Sequence, residues 1–106
     1  MTKVNHFTDQ QTEIAKISKA LGHPARVAII EHLLQVNACI CNDIVDVLPL
    51  AQSTVSQHLK ELRNADLIKG EIEGNAICYC LNENTFELLK KYFSHITAKL
   101  ILQEGC

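Results

Sequence analysis

The stretch that decides the fold runs from Gln52 to Arg63 and reads QSTVSQHLKELR. Its apolar residues Val55, Leu59 and Leu62 recur at helical spacing, which predicts one helix with these side chains on its inner face. The remaining faces are rich in Ser, Thr and Gln, which are only moderate helix formers. Because a merely solvated helix would carry Glu, Lys and Arg instead, this composition favours a helix that contacts a ligand.

Three further helices are predicted before this stretch, over residues of about 8–21, 25–36 and 42–48. The first of them carries Ile14, Ile17 and Leu21 at helical spacing. Gly22 ends it, and Pro24 is well placed in the first turn of the second helix. A tight turn then joins the third helix to the helix at 52–63.

The hydrophobic period changes from 3.6 to 2 after Asp66, which predicts two strands within residues 67–81. Gly74-Asn75 marks the tip of the hairpin that joins them. The expected inward set is Ile77, Tyr79 and Leu81. A last helix is predicted over residues 85–102.

The predicted order is therefore four helices, a β-hairpin and a fifth helix. Two short helices joined by a tight turn and followed by a hairpin are typical of a winged helix-turn-helix. The expected fold class is thus mainly α with a small β-hairpin, in one domain that spans residues 1–106.

Composition agrees with a single folded domain, since 47% of the 106 residues are hydrophobic and 21% are charged. The formal net charge of −2 argues against a protein that coats nucleic acid or membrane by charge alone. No apolar run approaches the ~18 residues of a membrane span, and the N-terminus lacks a secretory signal. We expect a cytoplasmic protein without membrane contact.

Candidate DNA contacts lie on the outer face and at the N-terminal end of the 52–63 helix, because these residue types pair with base edges and phosphates. They are Gln52, Ser53, Thr54, Ser56, Gln57, His58 and Lys60. The alternative is that Ser53 only caps the helix and that the other side chains are solvated. In the predicted wing the candidates are Lys69, Gly74 and Asn75.

The candidate DNA-binding region carries little positive charge for phosphate contacts. Residues 51–70 hold three basic and two acidic side chains, and the hairpin adds Glu71 and Glu73. We expect modest, salt-sensitive affinity for each subunit and a two-fold dimer on double-stranded operator DNA. Apolar stripes on the first and last helices are the expected dimer surface, although both could be ordinary core. The interface candidates are Ile14, Ile17, Leu21, Phe86, Leu89, Phe93, Ile96 and Leu100.

Five cysteines and no secretory signal favour reduced thiols over a disulfide framework. Cys39 and Cys41 precede the predicted helix at 42–48, whose positive N-terminal end favours the thiolate form. Soft thiolates select As(III), Sb(III), Cd(II), Pb(II), Cu(I) or Zn(II). The alternative is that one or both are small buried side chains.

The remaining cysteines are less informative. Cys78 and Cys80 share one face of a predicted strand, either as a second soft-metal pair or, as we favour, as small residues on a half-exposed strand. Cys106 either completes a metal site or has no role. The histidines show no paired ligand spacing and are expected to be structural or solvated; they include His6, His23, His32 and His95.

Three stretches resemble the ArsR/SmtB family of metal-responsive winged-helix repressors over roughly residues 10–100. They are ALGHPAR at 20–26, CICNDI at 39–44 and QSTVSQHLKEL at 52–62. The resemblance implies a homodimer that leaves its operator when an inducer binds, with the first and last helices at the interface. It also places Cys39 and Cys41 on the cysteine pair of the arsenic, antimony, cadmium and lead sensors.

The sequence departs from the family at the other ligands. Ile44 stands where arsenite sensors often add a third cysteine, and the N-terminal arm has only His6 where cadmium and lead sensors add cysteines. The zinc-type site on the last helix is not matched, because His95 stands alone. The resemblance therefore implies a two-thiolate, arsenic-type site whose third ligand is absent, is Cys106, or comes from elsewhere.

The preferred hypothesis is a repressor, and not an enzyme, that senses As(III) or Sb(III) at Cys39 and Cys41 without an organic cofactor. The alternatives keep the repressor but change its signal to Cd(II), Pb(II) or Zn(II), or to thiol oxidation or persulfidation. A thiol enzyme or metal carrier with no DNA role is a third hypothesis. The missing Cys-x-x-Cys motif and nucleophile–base pair argue against it.

Overall fold

The computed structural model describes residues 6–36, 40–41, 50–73 and 76–103. Within these ranges lie four helices and three strands. They are α1 (Asp9–Leu21), α2 (Pro24–Val36), β1 (Ile40–Cys41), α3 (Gln52–Asn64), β2 (Ile68–Glu73), β3 (Ala76–Leu81) and α4 (Glu83–Leu102). The helix predicted at 42–48 and the hairpin tip at 74–75 lie outside the described residues. None of the described helices combines the length and apolar character needed to cross a bilayer.

Local signals in the sequence explain where the helices begin. Thr8 caps α1 in a reciprocal capping box, in which its Oγ1 accepts from Gln11 N at 3.0 Å and Gln11 Oε1 accepts from Thr8 N at 2.9 Å. Pro24 is the first residue of α2, as predicted. Helix α4 begins two residues earlier than predicted because the side chain of Asn82 caps it.

The core lies between α1, α2, α3 and the sheet. The inward face predicted for the 52–63 helix is confirmed, since Val55 and Leu62 have no exposed surface and Leu59 has 6%. The buried cluster comprises Ile14, Ile17, Ala20, Ile29, Leu33, Val55, Leu59, Leu62, Ala65, Leu67, Ile68 and Leu89. This burial fixes the rotation of α3 about its axis and therefore decides which of its side chains face solvent.

Two interface candidates of α1 belong to this core. Ile14 is 8% exposed and Ile17 is fully buried within the protomer, so neither side chain has surface left for a partner. The expectation that they form a dimer surface is corrected, because packing against α2 and α3 already covers the apolar stripe of α1. Leu21 packs only partly against the same cluster.

The sheet has three strands in the order β1-β3-β2, and all neighbours are antiparallel. Strand β1 was not predicted, because two residues are too few to show a period of 2. Its register places Ile40 opposite Tyr79 and Cys41 opposite Cys78. The backbone of Cys41 therefore lies on an edge strand, which was not predicted, and the helix expected to follow it at 42–48 lies outside the described residues.

The central strand β3 confirms one sequence expectation and corrects two. Tyr79 and Leu81 pack partly against the core, as predicted for the inward face. Cys78 is only 2% exposed, against the expected half-exposed position, whereas Cys80 is half-buried as expected. Cys78 and Cys80 are both disulfide-bonded, against the expectation of reduced thiols. The burial of Cys78 follows from β1, which makes β3 the middle strand of the sheet.

Helix α4 is held at its beginning and exposed at its end. Thr85 is buried and its hydroxyl donates to the carbonyl oxygen of Asp66, in the turn between α3 and β2. Leu89 is also buried, and Phe86 and Tyr92 pack partly on the core. Every residue from 93 to 103 is exposed, so the second half of α4 extends beyond the protomer core.

Candidate nucleic-acid interface

The outer face of α3 presents a row of small polar side chains and one cation. Ser53, Thr54, Ser56, Gln57 and Lys60 are all exposed, as predicted. The side chain of Gln52 lies outside the described residues. Together with the buried inner face, this exposure makes α3 a rigid helix whose polar row is free to contact a ligand, as readout of base edges in a major groove requires.

The beginning of α3 lacks a side-chain cap. Its N-cap residue is Ala51, whose carbonyl oxygen accepts from Thr54 N and Val55 N at 3.0 Å each. Ser53 is therefore not the cap, which removes the alternative interpretation of that residue. Backbone N–H groups at such a helix start are the donors from which a phosphate oxygen accepts.

His58 does not belong to the exposed row. Only 7% of its surface is exposed, and its Nδ1 accepts a hydrogen bond from Arg26 Nε at 3.0 Å. Its ring centroid lies 4.4 Å from that of His23. The expectation of a DNA contact at His58 is thus corrected. The helical spacing contains the signal, because His58 follows Val55 by three positions and precedes Leu62 by four.

Arg26 is a structural residue of this site that sequence reasoning missed. Its Nε donates to His58, and its Nη1 donates to the carbonyl oxygen of Ala20 at 3.1 Å. The backbone N–H of Ala25 donates to His23 Nδ1 at 3.0 Å. These bonds tie α3 to the junction of α1 and α2, so the polar cluster of His23, Arg26 and His58 sets the position of the candidate DNA-contacting helix.

The pKa of His58 is lowered below its ordinary value of 6.5, mainly because burial disfavours the imidazolium. Electrostatic interactions with His23 and Arg26 lower this pKa further, and the interaction with Glu61 raises it. At neutral pH the imidazole is therefore uncharged, which is the form that accepts from Arg26.

Acidification is expected to weaken the fold through His58. Since the folded-state pKa lies below the unfolded value of about 6.5, the neutral imidazole contributes full stability above that pH. The contribution is lost as pH falls through the folded pKa. In urea unfolding at pH 7.5 and 5.5, the parent should lose more free energy of unfolding than His58→Gln. His95→Gln, at an exposed position, should follow the parent, whereas an equal pH dependence of all three would contradict this account.

The wing lies beside α3. Lys69 on β2 is exposed, as expected of a phosphate contact, and Gly74 and Asn75 lie outside the described residues. A Cβ placed on Gly70 would lie 3.4 Å from Tyr79 Cε1 and 3.6 Å from Arg63 Nε. The guanidinium of Arg63 is therefore at the base of the hairpin, where it adds a positive charge between α3 and the wing.

The predicted inducer ligands fall largely outside the described residues. Nothing is described of Cys39 or Cys106, and of Cys41 only the backbone position opposite Cys78 is known. Among the residues that the structure describes, no three His, Cys, Asp or Glu side chains are grouped as metal ligands. What the structure adds is that β1 brings Cys41 to the strand that carries Cys78 and Cys80.

The exposed half of α4 presents a group of large apolar side chains to solvent. Phe93 is 53% exposed, Ile96 36% and Leu100 59%. Their spacing of three and four residues places them on one helix face. An exposed apolar stripe of this kind marks a partner surface.

Comparison with known proteins agrees with this geometry. The model of the family described as "Bacterial regulatory protein, arsR family" matches residues 23–69. The HTH-type transcriptional repressor SmtB of Mycobacterium tuberculosis is 31% identical over 90 residues, which cover 85% of this chain but only 61% of that protein. The chain therefore spans less than two thirds of the length of that relative.

Two further relatives bear the names of resistance regulators. A cadmium resistance transcriptional regulatory protein, the CadC homolog of Staphylococcus aureus, is 34% identical over 85 residues, covering 78% of this chain and 69% of that protein. The arsenical resistance operon repressor of Staphylococcus xylosus is 28% identical over 94 residues, covering 89% and 86%.

A solved structure of a similar regulator shares this fold. The homodimeric winged helix-turn-helix DNA-binding domain of a possible ArsR-family regulator from Mycobacterium bovis superposes with a TM-score of 0.69 at 20% identity, covering 93% of this chain and 90% of that one. The predicted winged helix-turn-helix class is thus confirmed. With more than two thirds of the CadC homolog matched at 34% identity, the chain belongs to the ArsR family of bacterial regulatory proteins.

Proposed function

We propose that the protein is a DNA-binding transcriptional repressor that acts as a homodimer in the cytoplasm and leaves its operator when a thiophilic inducer binds. The observation that carries the proposal is the exposed polar row of α3, held outward by its buried face beside a β-hairpin. The row enters the major groove, and Lys69 and the start of α3 contact phosphates.

The negative net charge of one subunit explains why the proposed repressor binds DNA as a dimer. The chain carries a formal net charge of −2, so few counterions are released by one subunit and its affinity is modest. Two subunits that contact two half-sites bind as one unit and gain affinity and specificity together. The dimer surface is the face of α4 that carries Phe93, Ile96 and Leu100, with the partly buried Phe86 and Leu21 at its margin. Leu89, like Ile14, is buried in the protomer core and is left out of this surface.

Lys60 provides the most direct test of the α3 contact. The Lys60→Ala variant is expected to bind its operator about 5- to 100-fold more weakly, because it removes a charged contact to phosphate or guanine worth roughly 1–3 kcal/mol. Fluorescence anisotropy would measure this on operator DNA that the protein itself selects from a random pool. Lys90→Ala removes the same charge from an exposed position on α4. Equal losses in the two variants would show that only net charge matters.

The inducer of this proposal is As(III) or Sb(III), held by the thiolates of Cys39 and Cys41, with Cys106 as a possible third ligand. Thiolates prefer soft ions, and regulators of arsenical and cadmium resistance are among the relatives. Cd(II), Pb(II) and Zn(II) are the competing ions, and one titration of the DNA complex compares them all.

Release of DNA follows from linkage between the two ligands. An inducer displaces DNA only if it binds better to the conformation that does not fit the operator. Cys41 lies on β1, which pairs with β3 of the hairpin, so a change at the thiols acts on the wing as well as on the helices around it. By reciprocity, DNA weakens inducer binding by the same factor.

A further inference from the structure

The sheet brings two cysteine-bearing strands into register. Cys41 on the edge strand β1 lies directly opposite Cys78 on the central strand β3. Residues directly opposite each other in an antiparallel pair have Cα atoms about 4.5–5.5 Å apart. A disulfide requires about 4.4–6.8 Å, so this register position suits a cross-strand disulfide.

The neighbouring cysteine fits less well. Cys80 is the diagonal neighbour of Cys41, and diagonal partners lie about 7–8 Å apart, beyond the reach of a disulfide. Cys78 and Cys80 are themselves about 6.7 Å apart along one strand, at the far limit of that reach. Since Cys78 is disulfide-bonded, the register points to Cys41 as its partner.

We propose that Cys41 and Cys78 form a reversible cross-strand disulfide, which makes this pair a thiol-redox site at the base of the wing. The disulfide withdraws Cys41 from inducer binding, so oxidation makes the protein unresponsive to As(III). The pairing is independent of the proposed function, because it follows from strand register and the disulfide-bonded state of Cys78. The loss of the As(III) response rests on the proposed function.

Strand position assigns different parts to the two thiols. Cys78 is 2% exposed and lies on the middle strand, so we assign it as the resolving cysteine. Cys41 belongs to the edge strand, and we assign it as the cysteine that reacts first with the oxidant. With hydrogen peroxide as the oxidant, the Cys41 thiolate attacks one peroxide oxygen, the O–O bond breaks, and a sulfenic acid and hydroxide form.

The second step closes the disulfide. The sulfur of Cys78, giving up its proton, attacks the sulfenic sulfur of Cys41 and expels hydroxide, which that proton converts to water. Both thiols have then lost one electron each, and one peroxide has become two waters. A dithiol reductant reverses the change by thiol–disulfide exchange.

Peptide mapping tests the pairing. In the double variant Cys39→Ser with Cys80→Ser, the remaining cysteines fall on three separate tryptic peptides, 27–60, 70–90 and 100–106. After reduction, peroxide treatment and alkylation, peptide 27–60 should be linked to peptide 70–90, with peptide 100–106 alkylated. Full alkylation of peptide 70–90, or its link to peptide 100–106, would overturn the pairing.

A matched variant tests whether strand register decides which cysteines pair. Cys39→Ser with Cys78→Ser leaves Cys41 facing the diagonal position Cys80 on the same two peptides. The link between them should fall at least about 10-fold, because the diagonal distance is too long. An equally efficient link would overturn the register argument. Circular dichroism checks that each variant folds. If the buried hydroxyl of Cys78→Ser prevents folding, Cys78→Ala is used in its place.

Direct As(III) binding tests the consequence. Equilibrium dialysis of the parent should show an As(III) affinity at least about 10-fold weaker after peroxide than before it, because a disulfide sulfur is no longer a thiolate ligand. The As(III) affinity should return after the oxidised protein is treated with a dithiol reductant, which is removed before dialysis. Reduced protein that binds no As(III) contradicts the proposed inducer while the mapped disulfide stands. Unchanged As(III) affinity in protein that carries the mapped disulfide overturns the second half of this inference.

Discussion

Phe93→Glu on α4 is expected to convert the dimer into monomers and to weaken operator binding by roughly 100- to 10,000-fold, the gain that linking two binding sites provides. Phe93 is 53% exposed in the protomer and shares a helix face with Leu100. A carboxylate placed there must be buried without a partner when two copies meet, which costs several kcal/mol. Sedimentation and anisotropy measure the two effects.

Ser94→Glu is the matched control for this variant. It introduces the same carboxylate one residue further along α4, at a position that is exposed but rotated about 100° around the helix. It should remain dimeric and keep its operator affinity to within a few-fold. If Phe93→Glu sediments as a dimer, or if Ser94→Glu dissociates to the same extent, the dimer surface lies elsewhere.

Cys41→Ser is expected to raise the As(III) concentration that releases operator DNA by at least about 100-fold. Removing even an outer-shell partner of a metal ligand costs 10- to 100-fold in affinity, and this change removes a ligand itself. Cys39→Ser should behave alike. The measurement is anisotropy of a labelled operator during As(III) titration under reducing conditions.

Cys80→Ser serves as the control, because it removes a thiol that the proposed inducer site does not include. It should release DNA at the parent's As(III) concentration. Unchanged release in both Cys39→Ser and Cys41→Ser would refute the site, even if the parent responds. Cys106→Ser, in the same titration, decides whether the last residue is the third ligand.

Much of the fold follows from local sequence signals. The period of Val55, Leu59 and Leu62 predicts both the existence of α3 and the face that it buries. Thr8 and Pro24 give helix starts within one residue of those observed, because capping and the fixed φ of proline act locally.

The parts that sequence reasoning missed depend on tertiary pairing. Strand β1 has only two residues, and it exists because β3 lies beside it. Two residues are too few for a hydrophobic period to predict a strand. The disulfide-bonded state of Cys78 was also missed, since a thiol's partner depends on tertiary contacts and not on its neighbours in sequence.

An amphipathic stripe predicts which face of a helix is apolar, but it does not predict whether the protomer's own core or a partner covers that face. The stripes of α1 and α4 have the same spacing, yet Ile17 is fully buried in the protomer and Phe93 is half exposed. Polar residues show the same ambiguity. His58 looks like a DNA contact by residue type, but its position on the flank of the apolar face directs it to Arg26.

One titration tests both the DNA-binding repressor and its proposed inducer. The reduced protein, bound to its selected operator, is titrated separately with As(III), Sb(III), Cd(II), Pb(II), Zn(II) and a persulfide donor while DNA release is followed by anisotropy. We expect As(III) and Sb(III) to release the DNA at the lowest concentrations. A complex that none of these species dissociates, or a protein that selects no specific DNA sequence, would contradict the account.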